Sequence, residues 1–162
     1  MCGISGFIDY NKNTSTEVLL RMTNTLHHRG PDGGSTELLS DELATIGLGH
    51  RRLAIIDLTE TGKQPMNFEH LWITYNGEIY NYQEIKKDLS DLGHSFLGNS
   101  DTEMILHAFA QWGEKCLDRF IGMFAFVIYD SKEQSVFAAR DRAGVKPFFF
   151  YSDKNILLFA SE

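Results

Sequence analysis

Hydrophobic and polar positions along this chain follow two rhythms, and the changes between them divide it into blocks. "GISGFID" (3–9) reads as a strand. Thr14-x-x-Glu17 has the form of a capping box, and Val18, Met22 and Leu26 then fall on one helical face. "HHRGPDGG" (27–34) breaks that helix into a loop. Strand patterns follow at 35–40 and 44–49, with a further apolar patch at 53–58. "GKQPM" (62–66) predicts a turn or loop. "LWITYNGEIYN" (71–81) predicts a strand, an Asn-Gly turn and a short second strand, since Asn-Gly between β-type runs is a strong hairpin signal.

Two more helices are marked at both ends. Asn81-x-x-Glu84 opens the first, Ile85, Leu89 and Leu92 form its stripe, and Gly93 closes it. Ser100-x-x-Glu103 opens the second, with Ile105, Ala108, Phe109 and Trp112 on one side and Gly113 at its end. The remainder is β-type: 122–130, 135–141, 147–153 and 156–162. No helix separates these last four strands, so the fold class expected is α+β with antiparallel sheets, not a doubly wound parallel sheet. "FVIYDS" and "ILLFASE" are apolar at nearly every position. Strands of that kind are covered on both faces, which predicts sheets sandwiched between layers.

Length and charge narrow the classes. The 162 residues suit one domain. The net charge is −7 with no basic patch, so no nucleic-acid partner is expected. The longest apolar run, "MFAFVIY", is far below the ~20 residues of a membrane span, so no membrane partner is expected either. The opening lacks a signal-peptide pattern, and the two cysteines then argue for a reducing cytoplasm. The chain stops in a strand-like run without a polar tail, which reads as a cut through a longer protein.

The candidate chemistry begins at Cys2. Myristoylation would need Gly after Met1, and a bacterial lipid-anchor cysteine would follow an apolar segment, so the anchor reading fails. A plain strand-start cysteine and a nucleophile remain. If Met1 is removed, the α-amine and the thiol lie on one residue. An α-amine titrates at about 7.7–8.0, leaving roughly one in ten as free base at pH 7 to take the thiol proton. The other candidates each have two readings. Asn76 and Gly77 make a hairpin turn or a pair of oxyanion donors. Asp101 favours a helix dipole or holds a ligand ammonium. Arg52 lays its stem on apolar surface or pairs with a carboxylate. His27 and His28 fit a helix end and turn, His50 a buried strand end, and Cys116 a small buried hydrophobe. The six His and two Cys show no metal-ligand spacing.

Taken in series, "MCGISGF", "HRGPDG", "RLAIIDL", "GKQPM", "NGEIYNY", "SDTE", "GMFAFVIYD", "ARDRAGVKPFFFY" and "FASE" resemble the class II, N-terminal-nucleophile glutamine amidotransferase domain, most closely that of asparagine synthetases. The resemblance covers the whole chain and implies a four-layer αββα sandwich of two mainly antiparallel sheets. It implies that Cys2 attacks the side-chain amide of L-glutamine, forming a thioester and releasing ammonia, with Asn76 and Gly77 as the oxyanion hole. It further implies that Arg52 binds the α-carboxylate beside the backbone of Leu53, Ala54, Ile55 and Ile56, while Asp101 and the neighbourhood of Glu78 hold the α-ammonium. Phe148 stands where the family often carries Leu, which affects packing only.

The resemblance implies no cofactor for residues 1–162. ATP and Mg belong to a C-terminal synthetase domain of the same polypeptide, whose "SGGxD"-type loop is not in this sequence, and a homodimer is possible at full length. Two other readings stand beside this one. The same glutaminase could serve another synthetase, amidating a cell-surface sugar or a secondary metabolite, or the fold could be a catalytically idle interaction module.

Overall fold

The strand-like stretches pair into two antiparallel sheets, because each carries apolar side chains on alternate positions that only a second layer can cover. This computed structural model describes residues 1–53 and 62–162. The expectations for Ala54, Ile55 and Ile56, and most of the apolar patch at 53–58, lie outside the described residues.

Among the described residues the first sheet contains β1 (Gly3–Asp9), β2 (Gly33–Ser40), β3 (Thr45–Arg52), β8 (Phe149–Ser152) and β9 (Ile156–Ala160), in the order β2-β3-β1-β9-β8. The second contains β4 (Met66–Phe68), β5 (Leu71–Ile79), β6 (Gly122–Asp130) and β7 (Ser135–Arg140), in the order β4-β5-β6-β7. Helix α1 (Thr16–Thr25) packs on β1, β2 and β3, while α3 (Asp101–Trp112) packs on β4 and β5 and against α2 (Tyr82–Asp91). A short 3-10 helix, Gly113–Arg119, follows α3 and buries Cys116.

The layers therefore run α1, sheet, sheet, α2 with α3, the α+β sandwich that was expected. Ile8, Ile46, Leu48, Val127, Tyr129 and Phe159 form the core between the sheets. Ile73, Tyr75, Leu89, Ile105, Phe126 and Ile128 belong to the core under α2 and α3. The continuous apolar run in β6 follows from this arrangement. Val127 and Tyr129 go to one core, Phe126 and Ile128 to the other. Phe148 stacks on Phe159 at 6.0 Å, so its effect is indeed on packing. No helix among the described residues is long and apolar enough to cross a membrane.

Four local expectations are corrected. Asn76-Gly77 is not a turn: β5 runs unbroken from Leu71 to Ile79, and both residues pair with β6, opposite Ala125 and Phe124. The long ladder with β6 outweighs the local turn preference, because its register buries an entire strand. Thr14 does not cap α1; its N–H and hydroxyl both go to Asp9 Oδ2 at 2.7 Å, and the buried face is Leu19, Thr23 and Leu26. Asn81 precedes α2 but spends its side chain across the chain, donating to Arg119 O and accepting from Ile121 N, each at 3.0 Å. Leu92 is exposed and not part of the α2 stripe. The third cap is as expected, with Glu103 N–H donating to Ser100 Oγ at 3.2 Å.

Helix α1 sits so close to its sheet that one glycine is required for the approach. A Cβ on Gly49 would lie 2.1 Å from Thr23 Oγ1 and 2.9 Å from Ser5 Oγ, hydroxyls that bond each other at 3.0 Å. Gly49→Ala is expected to destabilise the domain by about 1–3 kcal/mol through overpacking, read as a lower midpoint in thermal unfolding. An unchanged midpoint would show that α1 shifts freely.

Candidate active site

The registers bring the candidate residues to one end of the sandwich. Gly3 pairs with Arg51, so the N-terminus lies beside the end of β3. Asn76 pairs with Ala125 and Ala125 with Arg140, so the loop after β7 opens at the corresponding end of the second sheet. Thr74 Oγ1 donates to Gly49 O at 3.0 Å, fixing the two sheets together two residues before these ends.

Cys2 is half-buried, and its sulfur is held against Leu53. The Leu53 N–H donates to Sγ at 3.4 Å, and the thiol faces Leu53 O at 3.7 Å. The carbonyl of Cys2 accepts from Arg29 Nε at 3.1 Å, and Arg29 pairs through its other arm with Glu162 at 2.9 Å. The Arg29 and His28 bonds hold the Glu162 carboxyl below its ordinary range. Arg29 thus clamps the backbone of the residue that carries the thiol.

Asn76 is buried between the sheets, and its amide nitrogen has no acceptor among the described residues. Unpaired buried donors are costly, and such an amide points to a partner that arrives with a ligand. Gly77 follows on the opposite face of β5. A Cβ there would lie 2.5 Å from Met123 O and 2.7 Å from Phe124 Cα, so the glycine is required by close strand approach.

Asp101, in the first turn of α3, accepts from Tyr75 Oη at 2.6 Å and from Ile79 N at 3.1 Å. Burial raises its carboxyl above the ordinary range, and these hydrogen bonds offset only part of that. Asp101 and Cys2 share no direct contact. Burial pushes the Tyr75 phenol well up, and the charges of Asp101, Glu78 and Cys2 push further in the same direction. Tyr75 is in turn held by Gln64, whose Oε1 accepts the Tyr75 N–H at 2.6 Å while Nε2 donates to Thr102 at 3.2 Å.

His50, expected as a buried strand-end histidine, is buried with Nε2 unpartnered. Burial and then the Arg52 cation push its imidazole down to about 3. A ring with so little affinity for a proton cannot serve as base for a thiol. Cys116 is also as expected, a buried thiol pushed up to about 12 by desolvation. No group of three or more potential metal ligands occurs among the described residues.

Two cavities differ in character. One of about 470 Å³ opens between the sheets at the opposite end, lined by Ile46, Val127, Tyr129, Phe148 and Phe159, with neither Cys2 nor Asn76 among its walls. One of about 210 Å³ is polar and includes Asp32, Ser35, His50, Arg52, Lys63 and Gln64. The smaller contains Arg52, and neither Cys2 nor Asn76 is among its walls either.

Comparison with known proteins gives the family and the fold. A family model described as "Glutamine amidotransferase domain" matches residues 1–162. The chain belongs to this family. Over its full length it is 44% identical to "Asparagine synthetase [glutamine-hydrolyzing] 3" of Bacillus subtilis and 40% identical to "Putative asparagine synthetase [glutamine-hydrolyzing] 2" of Methanocaldococcus jannaschii. It spans 26% and 34% of those two proteins. The fold is shared with a solved glutamine phosphoribosylpyrophosphate amidotransferase of B. subtilis, at a TM-score of 0.80 and 21% identity, over 99% of this chain and 42% of that one.

Within this amidotransferase domain, several site-end residues had no role in the sequence reading: Arg29, Gln64, Tyr75 and Lys146. Arg29 and Gln64 lie in "HRGPDG" and "GKQPM", motifs that carried the family resemblance without an assigned contact. Tyr75 was masked by the hairpin reading of its neighbours.

Proposed function

We propose that this domain hydrolyses L-glutamine to glutamate and ammonia through a thioester on Cys2. After removal of Met1, the Cys2 α-amine takes the thiol proton and the sulfur attacks the side-chain carbonyl carbon. The tetrahedral oxyanion accepts hydrogen bonds from Asn76 Nδ2 and the Gly77 N–H. The protonated amine then gives its proton to the departing nitrogen, so ammonia leaves and the acyl group stays on sulfur. Water attacks the thioester, glutamate departs, and the thiol is restored.

Substrate polarity supports the remaining roles. Arg52 pairs with the α-carboxylate beside Leu53. Asp101 and the Glu78 neighbourhood receive the α-ammonium. The observation that carries the reading is the buried amide of Asn76, without an acceptor among the described residues, at the end of the sandwich where the N-terminus with Cys2 lies.

The hydrolysis itself uses no cofactor. Within a longer protein the ammonia would pass to a C-terminal synthetase domain that consumes ATP, with Mg as its cofactor, to make asparagine, in the cytoplasm.

The test uses the processing state. Met1 retained leaves Cys2 nitrogen as an amide, which cannot accept a proton. Glutamate release is therefore expected to scale with the fraction of molecules lacking Met1, measured by intact-mass spectrometry. Full activity in a preparation that retains Met1 would overturn the α-amine mechanism.

A further inference from the structure

Lys146 is a buried cation at the nucleophile end, and its ammonium has an unusual partner. The residue is 5% exposed, and Nζ donates to Met1 Sδ at 3.5 Å. A thioether is a weak acceptor, and no carboxylate pairs with Nζ among the described residues. Burying an ammonium without a counter-charge is costly.

The loop that carries it is tightly fixed. Asp141 Oδ1 accepts from Val145 N at 2.9 Å, and Oδ2 accepts from Lys146 N at 3.0 Å and Phe124 N at 3.2 Å. Arg140 donates to Lys146 O and Gly144 O, each at 2.6 Å. The Asp141 carboxylate is thus committed to backbone, and the lysine is aimed at the N-terminus by its surroundings.

We propose that Lys146 is a positioning residue for the reaction, its charge keeping the α-amine of processed Cys2 in the free-base form. The inference rests on the reading above that this amine is the base. The side chain that Nζ touches is the one that processing removes. Its sulfur is no more than a methionine's length from Cys2 nitrogen, so the lysine ammonium and the new amine lie within roughly a side chain's reach of each other. Protonating the amine would put two like charges within that reach, which Lys146 opposes.

Other charges act on the same amine. Arg29 and Arg52 oppose its protonation as Lys146 does, while Glu162, Asp101 and Glu78 favour it. His28 is tied to Glu162 at 3.0 Å. Lys146→Met changes only one of these charges.

Processed protein, Lys146→Met and Lys146→Arg are compared in the pH dependence of kcat/KM for glutamine. Lys146→Met is expected to move the acidic limb up by about one to two pH units, the effect of one charge roughly 6–9 Å away at an effective dielectric of about 20. Lys146→Arg keeps the charge and is expected to keep the wild-type limb. A merely structural lysine would lower activity without moving the limb, and that result would overturn the proposal, as would Lys146→Arg behaving like Lys146→Met.

A second measurement needs no variant. The Cys2 amine of wild-type protein, labelled with nitrogen-15, is titrated by NMR and is expected to release its proton about one to two units below the ordinary α-amine range of about 7.7–8.0. Titration in the ordinary range would overturn the proposal even if Lys146→Met failed to fold. Absence of glutamate release from processed wild type would instead defeat the functional reading, while the NMR titration still decides the role of Lys146.

Discussion

Cys2→Ala is expected to reduce glutamate release from glutamine to background, while Cys116→Ala leaves it near wild type. The contrast follows from environment. The Cys2 sulfur is half-buried at the end of the sandwich, held by the Leu53 N–H, whereas Cys116 is buried in the core under the helices with its thiol pushed up to about 12. A thiol kept neutral and enclosed is neither a nucleophile nor reachable by substrate. Initial rates on folded, processed variants decide the matter. Equal losses in the two, or activity surviving in Cys2→Ala, would remove the basis for the thioester. Incubation of wild type with glutamine followed by acid quench should also yield a mass increment on the N-terminal peptide only.

Asn76→Ala is expected to cost about 10²–10³ in kcat with a smaller change in KM. The amide nitrogen has no acceptor among the described residues, so on the proposed mechanism its hydrogen bond goes to the oxyanion that forms in the transition state. Arg52→Ala and Asp101→Ala should act the other way, raising KM more than they lower kcat, because they hold parts of glutamine that do not change during the reaction. A loss confined to KM in Asn76→Ala would show that the amide binds ground-state substrate and not the oxyanion. Since Asn76 lies inside β5, circular dichroism and thermal unfolding of the variant should accompany the kinetics.

Elements with strong local signals were legible in the chain. The capping pattern at Ser100, the closing glycines at 93 and 113, and the continuous apolar run of β6 each reflect a constraint that acts within a few residues. Asn76 and Gly77 show the limit of such reasoning. Locally the pair is a turn, and the residues that overrule it, 122–130, are some forty-five positions away. Thr14 and Asn81 fail as caps for the same reason: Asp9, Arg119 and Ile121 offer them partners that only the folded chain brings near.

The sequence by itself determined the α+β class and the layered burial, because hydrophobic periodicity is a property of the chain, and residue type named candidates for acyl transfer without choosing among their readings. The tertiary structure alone decided which of them meet. It buried Asn76 without an acceptor among the described residues, bound Asp101 to Tyr75, clamped Cys2 with Arg29 and aimed Lys146 at the N-terminus. Those contacts join positions up to 145 residues apart, and they depend on strand register and sheet stacking, which no short stretch of sequence specifies.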